Sequence, residues 1–296
     1  MLAFSSSLRL TVPTRSLISR AFSGSASSSP DLVFEKLSAF PSEPENPAQI
    51  AVLRMSRPSA RNALGRQMLG ELADAISSIP ADPSLRAVIL TSEVERVFCA
   101  GADLKERRTM SQLEASTFVS SLRNTFTALS NLPLPTIAAV EGAALGGGLE
   151  IALSCDMRVA GADALFGLPE TSLAIIPGAG GTQRLPRLIG SARAKELMFT
   201  ARRIGASDAA QYGIVNHAVE AGGAFDKALK IATEISKNGP IGVRCAKTAV
   251  DVGMQTDLTS GMEVERACYA QTIPTKDRME GLEAFREKRK PVYRGE

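Results

Sequence analysis

The apolar positions of this chain alternate between two kinds of run. "IAVLRM" (50–55), "LRAVILT" (85–91) and "TIAAV" (136–140) are short and almost continuously apolar, the pattern of buried strands. From Arg66 to Ile79 the apolar residues Met68, Leu69, Leu72, Ala75, Ile76 and Ile79 follow a helical spacing instead. Ser111–Leu129 reads as a long helix, Gly147–Ser154 as a shorter one and Met157–Ala160 as a strand. "ALFGLPE" (164–170) reads as a short strand or loop. Leu32–Leu37 forms an edge strand, set off by the proline-rich turn "FPSEPENPAQ". Strands and helices alternate, which predicts an α/β fold with largely parallel pairing.

Beyond Gly181 the pattern is helical. Gly181–Ile189, Ala192–Thr200, Ser207–Tyr212, Phe225–Lys237, Ile241–Val252, Asp257–Thr272 and Lys276–Lys288 are expected as helices, with one brief strand near Ile214–Val219. No internal repeat is visible. The predicted organisation is a leader and linker over 1–30, an α/β core over 31–225 and a helical C-terminal region over 226–296.

Composition changes this picture mainly at the N-terminus. The first thirty residues hold ten serines and three arginines (Arg9, Arg15, Arg20), and no acidic residue precedes Asp31. That is the composition of an organelle transit peptide, and Arg20 stands three residues before a Phe22–Ser23 processing junction. A mitochondrial matrix destination is expected, with a plastid as the less favoured alternative. The 34 basic and 31 acidic residues give +3; loss of three arginines with the leader leaves 31 against 31. A near-neutral mature chain gives no support for a nucleic-acid surface. Cys99, Cys155, Cys245 and Cys268 are scattered and the single histidine, His217, has no partners in sequence, so neither a disulfide framework nor a metal site is expected. No apolar run reaches the ~20 residues needed to cross a bilayer, so no membrane insertion is expected.

The candidate chemistry lies in "ALGGGLEIAL" (144–153), where three glycines precede Glu150. The N–H groups of a helix's first turn have no intrahelical partner and sit at its positive end. Without Cβ atoms, Gly146, Gly147 and Gly148 let a substrate oxygen approach those donors. Glu150 follows Gly147 by three residues and shares its helical face. "VFCAGADLKE" (97–106) turns at Gly101 and offers a second N–H, that of Ala102, while "FGLPETSL" (166–173) brings a second carboxylate, Glu170. Two backbone donors make an oxyanion hole, and two carboxylates on one water can take a proton from it and deliver one to carbon. The stretch fits neither GxGxxG nor GxxxxGK[ST], and there is no GxSxG, so nicotinamide chemistry, nucleotide hydrolysis and serine hydrolysis are set aside.

Together "RPSARNAL", "FCAGADLKE", "PTIAAVEGAALGGGLEIALSCDMRVA", "FGLPETSLAIIPGAGGTQRLPRLIG" and "EGLEAFREKRKP" resemble the crotonase, or enoyl-CoA hydratase, superfamily over about residues 32–296. The stretch "ACYAQTIPTKDRMEGLEAFREKR" is similar to the mitochondrial group that includes the AU-specific RNA-binding methylglutaconyl-CoA hydratase. The resemblance implies a crotonase-like spiral of ββα turns, a helical trimerisation region, and a homotrimer or a hexamer of two trimers. It implies syn addition of water to a trans-2-enoyl-CoA, with no cofactor beyond the coenzyme A of the substrate and no metal. Ala102 and Gly147 match its oxyanion-hole positions, and Glu150 and Glu170 its acid/base pair; related isomerases commonly use one carboxylate. Ser59, Ala60, Arg61 and Asn62, and Ala102, Asp103, Leu104 and Lys105, match the loops lining the coenzyme A path, beside Gly146 and Gly147. Phe285 and Lys288 match a tail that reaches the nucleotide. Straight short-to-medium enoyl-CoA is the first expected substrate and 3-methylglutaconyl-CoA the nearest rival. RNA binding is not expected, because Arg66, Gly70 and Asp74 stand where the RNA-binding relative carries lysines on its early helix.

Overall fold

The computed structural model describes residues 29–43 and 46–296; the leader and its processing junction lie outside the described residues. A six-stranded sheet is formed by β1 (Leu32–Ser38), β2 (Gln49–Met55), β3 (Leu85–Ser92), β5 (Thr136–Val140), β7 (Met157–Gly161) and β10 (His217–Val219), in that order. Only β1 is antiparallel to its neighbour; the others run parallel. A second, smaller sheet has the order β4 (Val97–Cys99), β6 (Ala143–Leu145), β8 (Leu165–Gly167), β9 (Ile204–Gly205).

Parallel strands covered on both faces must be apolar on both, and the near-continuous runs read from the sequence are these strands. Their alternation separates two cores. Ala51, Leu53 and Met55 of β2, Val88 and Leu90 of β3, and Ala138 and Val140 of β5 face the main interior. Ile50, Val52, Ala87, Ile89, Ile137 and Ala139 face the other way, onto α8 (Ala224–Ser236). That helix meets them with Ala224, Ala228 and Ala232, whose four-residue spacing puts one small-residue stripe against the sheet. Glu141, just after β5, accepts the N–H groups of Gly222 and Ala224 and so anchors the start of α8.

Three times the chain lays one strand in the large sheet and the next in the small one: β3 then β4, β5 then β6, β7 then β8. Between these steps lie α2 (Leu104–Arg108), α3 (Gln112–Ser130) and α4 (Gly147–Ala152). This is the spiral of ββα turns implied by the resemblance. The sequence shows no repeat because β4, β6 and β8 are three residues each, too short for any period. For the same reason β4 and β6 are not predicted from the pattern, and α2, five residues long, is read there as loop. By contrast α3 is explicit: Ser111 and Glu114 close a capping box at its first turn.

α1 (Arg66–Ser78) packs on α3, and α5 (Gly181–Ile189), α6 (Ser191–Phe199) and α7 (Ala206–Tyr212) close the spiral. The chain ends in α9 (Pro240–Gly253), α10 (Leu258–Thr272) and α11 (Lys276–Glu287). These helices bury little of their apolar surface: Met254 is 82% exposed, Leu258 81% and Phe285 87%. Lys247 of α9 ties them to the core, its Nζ 2.8 Å from Asp156 Oδ2 and 3.1 Å from the Leu134 carbonyl. Among the described residues no helix is long and apolar enough to cross a membrane.

Candidate active site

α4 starts where β6 ends, and its first residues are set by steric limits. Gly146 takes φ +53°, a conformation open to glycine, and its carbonyl accepts the N–H groups of Leu149 and Glu150. A Cβ on Gly148 would stand 2.1 Å from the Cys99 carbonyl oxygen, so the helix start and the 99–102 loop touch backbone to backbone. At Gly147 a Cβ would lie 3.6 Å from the Ala102 nitrogen. The two expected donors are therefore neighbours.

Among the described residues neither of those N–H groups finds a protein acceptor. Gly147 is the first residue of α4, where no intrahelical carbonyl precedes it. Ala102 forms a one-residue parallel bridge with Leu64: the Leu64 N–H donates to Gly101 O (2.8 Å), and the Asp103 N–H donates to Leu64 O (3.0 Å). In a parallel bridge the residue between those two bonds turns its own N–H to the opposite side. For Ala102 that side is the one facing Gly147.

Glu150 is 3% exposed, and its Oε1 accepts N–H groups from Ala179 and Gly181, each at 2.8 Å. The loop offering them is itself gripped. Arg123 donates to the Gly178 carbonyl (3.2 and 3.0 Å), and Arg184 donates to the Ala179 carbonyl (3.2 Å). Burial pushes the Glu150 carboxyl above its ordinary value, while the two N–H groups and the charges of Arg184 and Arg123 pull the other way.

Glu170 sits on a 3-10 turn, Pro169–Leu173, that follows β8. Its Oε1 lies against Gly146, where a Cβ would come within 3.0 Å of it. Its Oε2 is buried with no hydrogen-bond partner among the described residues. Burial pushes its pKa up to about 7, and the charge of Glu150 adds to that rise; its own N–H and Arg107 oppose it. Burial thus raises both carboxyls, Glu150 against two backbone donors and Glu170 to about 7.

The remaining expected residues are distributed unevenly. Ser59 and Arg61 are exposed and Ala60 half-buried, on the turn before Leu64. Asn62 is fully buried. Its amide donates to Ser92 Oγ (2.8 Å) and Phe98 O (3.0 Å) and its Oδ1 accepts the Arg57 N–H, so its side chain fixes the turn from inside. Asp103 is buried as the cap of α2 and binds Arg57 at 2.9 Å, whereas Leu104 and Lys105 are exposed on that helix. Phe285 and Lys288 end α11 and form no hydrogen bond or ion pair with any of these segments. Ala179, Gly181, Arg107, Arg123 and Arg184 are not singled out by the sequence reading. The glycine-rich "PGAGG" (177–181) ahead of a helix was the available signal for the first two. Among the described residues no group of histidine, cysteine and acidic side chains is arranged to hold a metal.

The arrangement can bind a developing oxyanion, and it can move protons on either side of the adjoining carbon atoms. Comparison with known proteins agrees with this chemistry. The family model described as enoyl-CoA hydratase/isomerase matches residues 45–296. The chain is 55% identical over 246 residues, 83% of its length and 82% of the relative's, to the probable enoyl-CoA hydratase 2, mitochondrial, of Arabidopsis thaliana. It is 51% identical over 251 residues, 83% of its length and 74% of the relative's, to the human methylglutaconyl-CoA hydratase, mitochondrial. The crystal structure of an enoyl-CoA hydratase from Bacillus anthracis superposes with a TM-score of 0.82 at 49% identity, covering 83% of this chain and 96% of that one. The chain belongs to the enoyl-CoA hydratase/isomerase family.

Proposed function

We propose that this protein is a hydro-lyase that adds water across the double bond of a trans-2-enoyl-CoA, with Glu150 and Glu170 as its acid/base pair. The observation that carries the reading is the unequal pair of carboxyls beside two unpartnered N–H groups. The thioester oxygen accepts from Ala102 and Gly147, which stabilises the enolate-like transition state by about 3–4 kcal/mol per donor. Glu150 takes a proton from water as its oxygen bonds to the β-carbon. Glu170, protonated near neutrality, delivers a proton to the α-carbon, and proton return from Glu150 to Glu170 resets the pair. Coenzyme A enters as part of the substrate, and the exposed Ser59, Arg61, Leu104 and Lys105 lie along its path.

The protein works in the mitochondrion, as its Arg- and Ser-rich leader suggests and as the names of its relatives support. The exposed apolar side chains of α9–α11 are best explained by contact with further copies of this chain, as a trimer or a hexamer. RNA is not a ligand in this reading: on α1, Arg66 is already paired with Glu114 at 3.2 Å, and Gly70 and Asp74 offer no cation. The direct test is loss of the enoyl-thioester absorbance when purified protein meets crotonyl-CoA, with chromatography of the 3-hydroxyacyl product. Absence of hydration by folded protein would refute the assignment.

A further inference from the structure

The two N–H groups beside the carboxyl pair are held by different means. Gly147 opens α4, a helix that touches the Cys99 carbonyl backbone to backbone. Ala102 lies in a loop, joined to the 61–64 turn through an isolated bridge. The Ala100 N–H donates to Arg61 O (3.1 Å), the Leu64 N–H to Gly101 O (2.8 Å) and the Asp103 N–H to Leu64 O (3.0 Å), and the pairing of the two segments goes no further. A donor to an oxyanion must stand about 2.7–3.1 Å from it, and a misplacement of about 1 Å can cost a hundredfold in rate. Segments paired over so short a stretch need a further hold.

Arg57 is placed to supply it. The residue is half-buried at the head of the 3-10 turn Pro58–Ala60, and one nitrogen of its guanidinium reaches both segments. Nη1 donates to the Ala63 carbonyl at 2.9 Å and stands 2.9 Å from Asp103 Oδ2. Ala63 precedes Leu64 and Asp103 follows Ala102, so these contacts straddle the bridge. Asp103 divides its oxygens: Oδ1 accepts the N–H groups of Lys105 and Glu106 (3.0 and 3.2 Å), which leaves Oδ2 to Arg57. The other carboxylates around the guanidinium lie further out, Asp31 at 3.6 Å and Glu106 at 3.8 Å. A charge-assisted bond is stronger than a neutral one, and burial of Asp103 protects it from screening. Resting on the hydratase reading above, we propose that Arg57 is a positioning residue for the hydration reaction: by bridging Ala63 and Asp103, its guanidinium aims the Ala102 N–H at the thioester oxygen.

The test uses butyryl-CoA isotopically labelled at its thioester carbonyl. This ester is saturated and cannot be hydrated, so its infrared carbonyl band reports the hydrogen bonds to that oxygen. Binding to the wild-type protein should move the band to lower frequency than in water, and Glu150→Gln should keep that shift. In Arg57→Met part of the shift should be lost, while kcat for crotonyl-CoA falls by about tenfold or more with KM within about twofold. Asp103→Asn, which keeps an oxygen for the α2 cap, should move the band and kcat in the same direction by less. It carries the test by itself if Arg57→Met does not fold. A fall in kcat with the band at its wild-type frequency, or a folded variant with unchanged kcat, overturns the proposal. A wild-type protein that shifts the band but hydrates no enoyl-CoA refutes the hydratase reading alone, because the band in Arg57→Met still reads the aim of the Ala102 N–H.

Discussion

The socket of Glu150 and the perch of Glu170 hold the same functional group in opposite ways. Glu150 projects from a helix fixed by backbone contact with the Cys99 carbonyl, and two N–H groups close on one of its oxygens. Glu170 rides on a short turn, lies against a glycine, and leaves one buried oxygen unpartnered. Burial raises both, but Glu150 has N–H donors from two other residues that favour its ionised form, whereas Glu170 has only its own N–H. Two carboxyls of one site are thereby held differently, which a shared environment would not give them. The price is an orphaned polar atom at Glu170, and that atom is where a water or substrate proton would bind.

The largest test of this contrast is kinetic. Glu150→Gln keeps the oxygen that Ala179 and Gly181 need and removes the base, so hydration of crotonyl-CoA should fall by about 10²–10⁴-fold with folding intact. Glu170→Gln should fall at least about a hundredfold. Near-normal turnover by either variant would remove that residue from the acid/base pair. Stability should then separate the two sites. Glu150→Ala strands two buried N–H groups at a cost of about 1–3 kcal/mol each, whereas no backbone donor of another residue depends on the Glu170 side chain. Thermal unfolding should place Glu150→Ala well below the wild type and Glu170→Ala close to it; equal losses would show that the sites are held alike.

The pH dependence sharpens the comparison further. In the proposed mechanism addition of water needs Glu170 protonated, so kcat/KM should decline as pH rises above about 7, the value to which burial lifts this carboxyl. The same shift carries a stability consequence of definite sign. The folded protein holds the Glu170 proton up to about 7, while the unfolded chain releases it near the ordinary value of 4.5. Raising pH through that window therefore favours unfolding, and Glu170→Gln removes the penalty. The variant should melt above the wild type at pH 8, with the gap closing at pH 4. A gap of constant size, or of opposite sign, would mean that Glu170 is not held against ionisation.

How much of this was legible in the sequence depended on the length over which each feature is written. β2, β3 and β5 announce themselves because burial on both faces demands unbroken apolar runs. The close approach that sets Gly147 beside Ala102 was legible because Gly146–Gly148 and Gly101 mark it in the chain itself. β4 and β6 were not, since three residues carry no period. Nor was the burial of Asn62 and Asp103, because the groups that satisfy them, on Ser92, Phe98 and Arg57, come from other segments of the chain. The grip on Glu150 was hidden for another reason. Its donors lie about thirty residues away, and the arginines behind them come from two further helices.

That grip gives the smallest effect and the most selective one. Arg123 is on α3 and Arg184 on α5, and each holds a carbonyl of the loop whose N–H groups face Glu150. Each also contributes positive charge that favours the ionised Glu150, without touching Glu170. Replacing Arg123 by Gln removes charge and loosens the Gly178 carbonyl, so Glu150 should become easier to protonate. The acid limb of the kcat/KM profile should then move to higher pH while the alkaline limb, set by Glu170, stays in place. Because Arg123 is exposed and its charge is screened, the loss at neutral pH should be only about two- to threefold. Arg184→Gln, at the more buried arginine, should move the same limb further. Movement of both limbs together would mean that the two carboxyls titrate as one unit, and the division between socket and perch would not hold.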